Sequence, residues 1–125
     1  MTPEERLLVL VDVSARLPYG VVVDNPDPVG GMWDEVISID TSTKTVMLLY
    51  DGRVFSIDNI KPYLRPMTSM TEEEENEYRT INCYEGLFPR NEEALDYVLE
   101  HHFDFRGLIE KGLAIEAPEG IYKTE

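Results

Sequence analysis

The residues best equipped for chemistry stand together near the C-terminal end, at His101-His102-Phe103-Asp104. Both histidines of the chain and a carboxylate fall in this one stretch. Such a group could ligate a metal ion or shuttle a proton. Its spacing argues against the metal. Neighbouring side chains on a helix point about 100° apart, so adjacent imidazoles chelate one ion poorly; a metal-binding helix places its histidines at i and i+4. The plainer reading makes His102 the last member of a buried stripe formed by Leu95, Val98, Leu99 and His102, with His101 at the helix C-terminus. A small enzyme or metal-binding protein using His101, His102 and Asp104 is therefore an alternative and not the favoured reading.

The other reactive side chains carry less. Cys83 has only Arg79, at i−4, to favour a thiolate, so it reads as a small, partly buried apolar residue. Glu72 to Glu75 are numerous, but they open a helix and should be solvated there, which does not make an acid/base pair. Val29-Gly30-Gly31-Met32 lacks the Lys-Ser/Thr of a phosphate loop, and no Gly-x-Ser-x-Gly occurs. The residues assign no catalytic group, no cofactor and no metal.

The aromatic residues say more. Tyr19, Trp33, Tyr50 and Tyr63 fall at strand ends or in an extended strap. They either cap the ends of an apolar core or line a groove for an extended peptide. Arg106, just before Gly107, reads as a tie between the tail and the β part through a carboxylate or carbonyl fork. The candidate protein-binding set is Tyr19, Trp33, Tyr63, Arg65, His102 and Arg106.

The elements that must position these residues follow from pattern. The chain has 125 residues, 42% hydrophobic and 29% charged, the balance of a single soluble domain. Thr2-Pro3-Glu4-Glu5 starts a helix that runs to about Leu17, although Val9, Val11 and Val13 also suit a strand. Leu17-Pro18 closes it. Short strands follow at Tyr19 to Asp24, Trp33 to Asp40, Lys44 to Tyr50 and Arg53 to Ile57, with Ile37 and Ile39 expected on one face. Asn25 to Gly31 reads as a loop, Thr41-Ser42-Thr43 as a hairpin turn and Asp51-Gly52 as a type I′ turn. A meander this small needs to curl or to pack on the first helix. Pro62 and Pro66 make Ile60 to Pro66 an extended strap outside any central strand, with Ile60 and Leu64 tucked in. Thr71 and Glu74 form a second capping box for a helix ending near Cys83, and Asn91 caps a third helix.

The expected fold is α+β: an N-terminal helix, a four-stranded antiparallel sheet curled into a small SH3-like barrel, and C-terminal helices. Residues 1–66 form the helix and meander, and residues 67–125 a helical part packed on them.

Charge narrows the partners. Eleven basic against twenty-five acidic residues give a net charge of −14. The longest uncharged apolar run, Leu7 to Val11, is far short of the roughly 20 residues that cross a membrane. So acidic a surface, with no basic run, repels phosphate backbones and anionic lipids. Direct nucleic-acid and membrane contacts are not expected. The N-terminus lacks signal-peptide features and Cys83 is alone, which suits a cytoplasmic protein.

Two long segments carry a resemblance. Ile60-Lys61-Pro62-Tyr63-Leu64-Arg65-Pro66-Met67-Thr68-Ser69-Met70-Thr71-Glu72-Glu73-Glu74 and the stretch His101 to Tyr122, with its Asp104-Phe105-Arg106-Gly107-Leu108-Ile109 core, resemble segments of a family of small acidic proteins from gut anaerobes, their phages and integrated elements. Met1 to Arg6 and Ala15 to Val21 are similar too. The resemblance implies a mobile-element accessory protein acting in the cytoplasm, and carries over no catalytic residue. The favoured function is a non-enzymatic protein-interaction module, monomeric or weakly dimeric, whose partner is another protein. A DNA-mimicking inhibitor of a DNA-handling enzyme is the closest alternative.

Overall fold

The computed structural model describes residues 1–24, 33–49, 52–83, 86–118 and 120–122. Helix α1 spans Pro3–Arg16 and opens with the expected capping box: the Thr2 hydroxyl accepts from the Glu5 amide, and the Glu5 carboxylate accepts from the Thr2 amide. The β-branched residues do not turn it into a strand, because capping and burial of Val9, Leu10 and Val13 favour the helix.

A meander follows: β1 (Val22–Asp24), β2 (Trp33–Asp40), β3 (Thr45–Leu48) and β4 (Val54–Ser56), antiparallel in the order β1-β2-β3-β4. The expected barrel closure does not occur; β1 and β4 stay at opposite ends of an open sheet. The edge of β1 is met instead by the segment before β5, where the Asp24 amide donates to the Lys61 carbonyl at 2.9 Å. The loop Asn25 to Gly31, Tyr50 and Asp51 lie outside the described residues, so of the expected type I′ turn only Gly52 is seen, with φ 70°.

Ile37 and Ile39 do not share a face. The β2–β3 register slips by one residue between Val36 and Ser38, a bulge that resets the alternation. Ile37 becomes exposed while Ile39 packs on the core.

The strap contains a strand. β5 (Tyr63–Pro66) is the centre of a three-stranded parallel sheet between β6 (Phe103–Asp104) and β7 (Ile115–Glu116). The prolines are tolerated because they bound the strand and are used as acceptors or end residues. The Pro62 carbonyl accepts from Ile115, Leu64 accepts from Ala117, and the Arg65 amide donates to His102. Ile60 and Leu64 are fully buried, as the pattern required.

Between these strands lie α2 (Glu72–Asn82) and α3 (Glu92–Glu100), capped by Thr71 and Asn91 as expected. Tyr78 of α2 meets Tyr97 of α3 with ring centroids 5.7 Å apart, around a small core with Ala94, Val98 and Phe103. The main core joins α1 and both sheets, from Val9 and Val13 to Leu108 and Ala114. No helix among the described residues is long and apolar enough to cross a membrane.

One ion cluster fastens this arrangement. Asp12 and Arg16, one turn apart on the inward side of α1, are both fully buried. Arg16 donates from Nε and Nη2 to the Asp12 carboxylate and from Nη2 to the Phe103 carbonyl at 2.7 Å. Arg106 adds a bond to Asp12 at 3.0 Å. Removing one partner of a buried pair strands the other charge. Asp12→Ala should therefore destabilise the fold by about 3–5 kcal/mol in urea unfolding, whereas the surface pair change Glu75→Ala should cost less than about 1 kcal/mol.

Candidate interaction surface

The sequence candidates divide into two groups. Tyr63, Arg65, His102 and Arg106, with His101 and Asp104, lie on or next to β5 and β6. There they are occupied in holding the chain together. Arg65 is bidentate on Glu74, at 2.7 and 2.9 Å, and its guanidinium lies 4.3 Å over the Phe103 ring. That bond holds the Glu74 carboxyl below its ordinary range. Asp104 is buried and accepts the Leu108 and Ile109 amides, both at 2.9 Å, closing the turn after β6.

The two histidines behave differently. His101 caps α3: its Nδ1 lies 2.9 Å from the Tyr97 carbonyl and its ring stacks on Tyr97. His102 is not part of the helical stripe. The helix stops at Glu100, because His102 takes a left-handed backbone, φ 65°, to turn the chain into β6. Leu95 is half-buried, while Ala94, Tyr97, Val98 and Leu99 fill the buried side of α3. The His102 ring stacks on Tyr122 at 3.6 Å. Tyr122, unnoticed in the sequence, is a latch: its hydroxyl donates to the Tyr63 carbonyl at 2.7 Å and accepts from the Val22 amide at 2.9 Å. Burial pushes its phenol up to about 12, so it stays a donor at neutral pH. The apolar pair Ile121-Tyr122 after Gly120, ahead of a polar Lys-Thr-Glu, was its sequence signal.

Arg106 ties the tail to α1 and not to the β part, because its Nε donates to Oδ1 of buried Asp12, an oxygen it shares with Arg16. Cys83 is exposed and not partly buried; it occupies the left-handed C-cap of α2, φ 61°, which turns its side chain out. Among the described residues no three His, Cys, Asp or Glu side chains gather as a metal ion would require. A cleft of about 510 Å³ lies beside Arg65, Glu74, Glu116 and Tyr122, but Arg65 and Glu74 saturate each other at its wall.

The second group faces solvent. Trp33, at the start of β2, is 47% exposed, and Tyr19, in the turn Leu17–Tyr19 that contacts β2, is 39% exposed. They neither cap the core nor stand alone. β2 alternates until the bulge, which puts Ile37 and Ser38 outward in succession. Ser38, Met47 and Val54 then lie opposite one another across three strands. Ile37, Leu49 and Val54 are 43%, 59% and 55% exposed. A shallow groove of about 480 Å³ runs over Met47, Val54 and Ile39, with Ser38, Asp40, Thr43 and Thr45 also at its walls. The outer side of the meander thus mixes these exposed apolar side chains with Glu35, Ser38, Asp40 and Thr45, on a chain whose net charge is −14.

No protein-family model, no curated protein and no solved structure matches the chain.

His102 gives a pH test of the latch. Burial first, then Arg16, His101 and Arg65, push its pKa down to about 4 from an ordinary 6.5. The unfolded chain then takes up a proton that the folded chain refuses, so this residue lowers stability as pH falls from about 6.5 to about 4 and adds nothing further below that. Asn tolerates the left-handed backbone and does not titrate. His102→Asn should lose part of the decline in unfolding free energy over that window; a pH profile parallel to wild type would refute the buried neutral imidazole.

Proposed function

We propose that this chain is a non-enzymatic protein-interaction module that docks another protein on the outer face of its meander. The observation that carries the reading is that four large apolar side chains of the meander, Trp33, Ile37, Leu49 and Val54, stay 43–59% exposed on an open sheet. Exposed apolar surface costs free energy unless a partner covers it. A single exposed side chain is ordinary; several on neighbouring strands, with Val54 at the wall of a groove, offer a docking surface.

The charge around the face indicates what kind of contact this is. The described meander carries Asp24, Asp34, Glu35 and Asp40 against Lys44 and Arg53, a smaller acidic excess than that of the helices. Docking here rests on apolar burial, so it should survive high salt. The polar clusters that could suggest an enzyme are engaged in the fold: His101 on Tyr97, Asp104 on Leu108 and Ile109, His102 on Tyr122. The likeness to small acidic proteins of phages and integrated elements supports a cytoplasmic accessory role, and the single Cys83 is compatible with a reducing compartment.

The test compares wild type with an Ile37→Lys/Val54→Lys double variant as bait in host lysate, at low and high salt, with light scattering on both purified proteins. Both substituted positions are exposed, so the variant should keep the wild-type circular dichroism and melting curve. The expected result is a partner enriched on wild type at both salt concentrations and lost on the variant, with wild type monomeric alone. Equal capture by the two baits overturns the reading. A wild-type dimer that the variant abolishes would replace the foreign partner by a second copy of this chain.

A further inference from the structure

A separate surface lies between α2 and α3. The linker there exposes Leu87 to 42% and Phe88 to 59%. Two neighbouring apolar side chains on a mobile loop would mean little. This backbone is held at successive carbonyls and amides. The Tyr78 hydroxyl donates to the Leu87 carbonyl at 2.6 Å, and the fully buried Asn82 donates from Nδ2 to the Phe88 carbonyl at 3.1 Å. The Arg90 amide returns a bond to Asn82 Oδ1 at 2.7 Å, and Asn91 Nδ2 reaches the Ile81 and Asn82 carbonyls. Pro89, between the exposed pair and Arg90, is buried. Among the described residues the aromatic support under Phe88 is the edge of half-buried Phe105, 6.2 Å away.

A buried asparagine whose amide is spent on presenting two hydrophobic side chains to water is an arrangement for recognition. Fixing the backbone beforehand removes ordering entropy from the binding step. Phe and Leu on such a support act as anchors that fill a pocket. The surrounding charge selects the pocket's owner. α2 carries five carboxylates and α3 four, against Arg79 on those helices and Arg90 in the linker. Glu92, Glu93 and Asp96, on the first turns of α3 directly after the linker, are exposed.

We infer that Leu87 and Phe88 form a second docking point, for a protein whose receiving surface is an apolar pocket ringed by lysine and arginine. The anchors supply the affinity, and the carboxylates steer the approach and exclude acidic surfaces. This site does not depend on the outer sheet face and differs from it in kind: its binding weakens with salt.

The probe is a synthetic amphipathic helix of alternating leucine and lysine blocks, titrated calorimetrically into the full chain, with an all-lysine peptide of equal charge as control. Phe88→Ala removes only an exposed ring, so the fold should be unchanged by circular dichroism. Wild type should bind the leucine–lysine peptide, more weakly as salt rises, and Phe88→Ala should bind about tenfold more weakly. Asn82→Ala, which frees the linker and leaves Phe88 in place, should show a comparable loss. The Ile37→Lys/Val54→Lys variant should bind as wild type does. No binding, equal binding of the all-lysine peptide, or unchanged affinity in Phe88→Ala overturns the inference. Loss of binding in the sheet variant alone also overturns it, and places the peptide on the sheet face instead.

Discussion

Arg16 carries its guanidinium into a place where no water reaches, and the distant half of the chain answers most of its need for acceptors, leaving Nη1 without a hydrogen-bond partner among the described residues. Its side chain is fully buried on α1, one turn from an equally buried Asp12. A lone guanidinium there would be ruinous, and the bidentate pair relieves most of that cost. The Phe103 carbonyl, 87 residues away in sequence, takes a further bond, and Arg106 occupies an Asp12 oxygen from outside. These contacts fix β6 against the end of α1. With β6 fixed, Arg65 of β5 can donate its amide to the His102 carbonyl, and the parallel pair forms. The left-handed turn at His102, the closing of Asp104 over Leu108 and Ile109, and the Tyr122 latch all lie within a short distance along the chain of that anchor.

This explains why the side chains with the most chemistry in sequence have little left over. Two histidines, three arginines and two aspartates converge near β6, the composition of an active site, yet most of their polar atoms have a structural partner, Arg16 Nη1 and His102 Nδ1 being the buried exceptions among the described residues. A short parallel sheet with two-residue outer strands has few backbone bonds of its own. Side-chain bonds to backbone make up the difference, and they draw on the residues that an enzyme would keep free.

How much was legible follows from range. Thr2 with Glu5 and Thr71 with Glu74 announce their helices because a capping box is complete within four residues. The meander was readable for the same reason, from alternation and turn residues. The β2 bulge was not: Val36-Ile37-Ser38-Ile39 fits plain alternation, and only the pairing with β3 decides where the extra residue goes. Strand β5 was hidden by its prolines, whose missing amides matter only once the neighbours are known. Its partners lie some 40 and 50 residues on, an order of separation at which local pattern is silent. Asp12 and Arg16 did leave a signal. Opposite charges one turn apart on the apolar side of a helix mark a buried pair that something else must complete.

The same constraint shapes the outside. With α1 packed on both sheets, and the tail spent on β5 and the latch, no described element remains to cover the outer side of the meander. The carboxylates, excluded from the crowded centre, accumulate on α2 and α3, whose first turns also favour them through the helix dipole. The described surface is therefore uneven: a meander with exposed apolar side chains and a modest acidic excess at one part, a strongly acidic helical pair with exposed Leu87 and Phe88 in its linker at another. Salt distinguishes these surfaces physically, since screening leaves apolar burial intact and weakens attraction between exposed charges. If both proposed docking surfaces are used, one partner would be held by burial and the other oriented by charge.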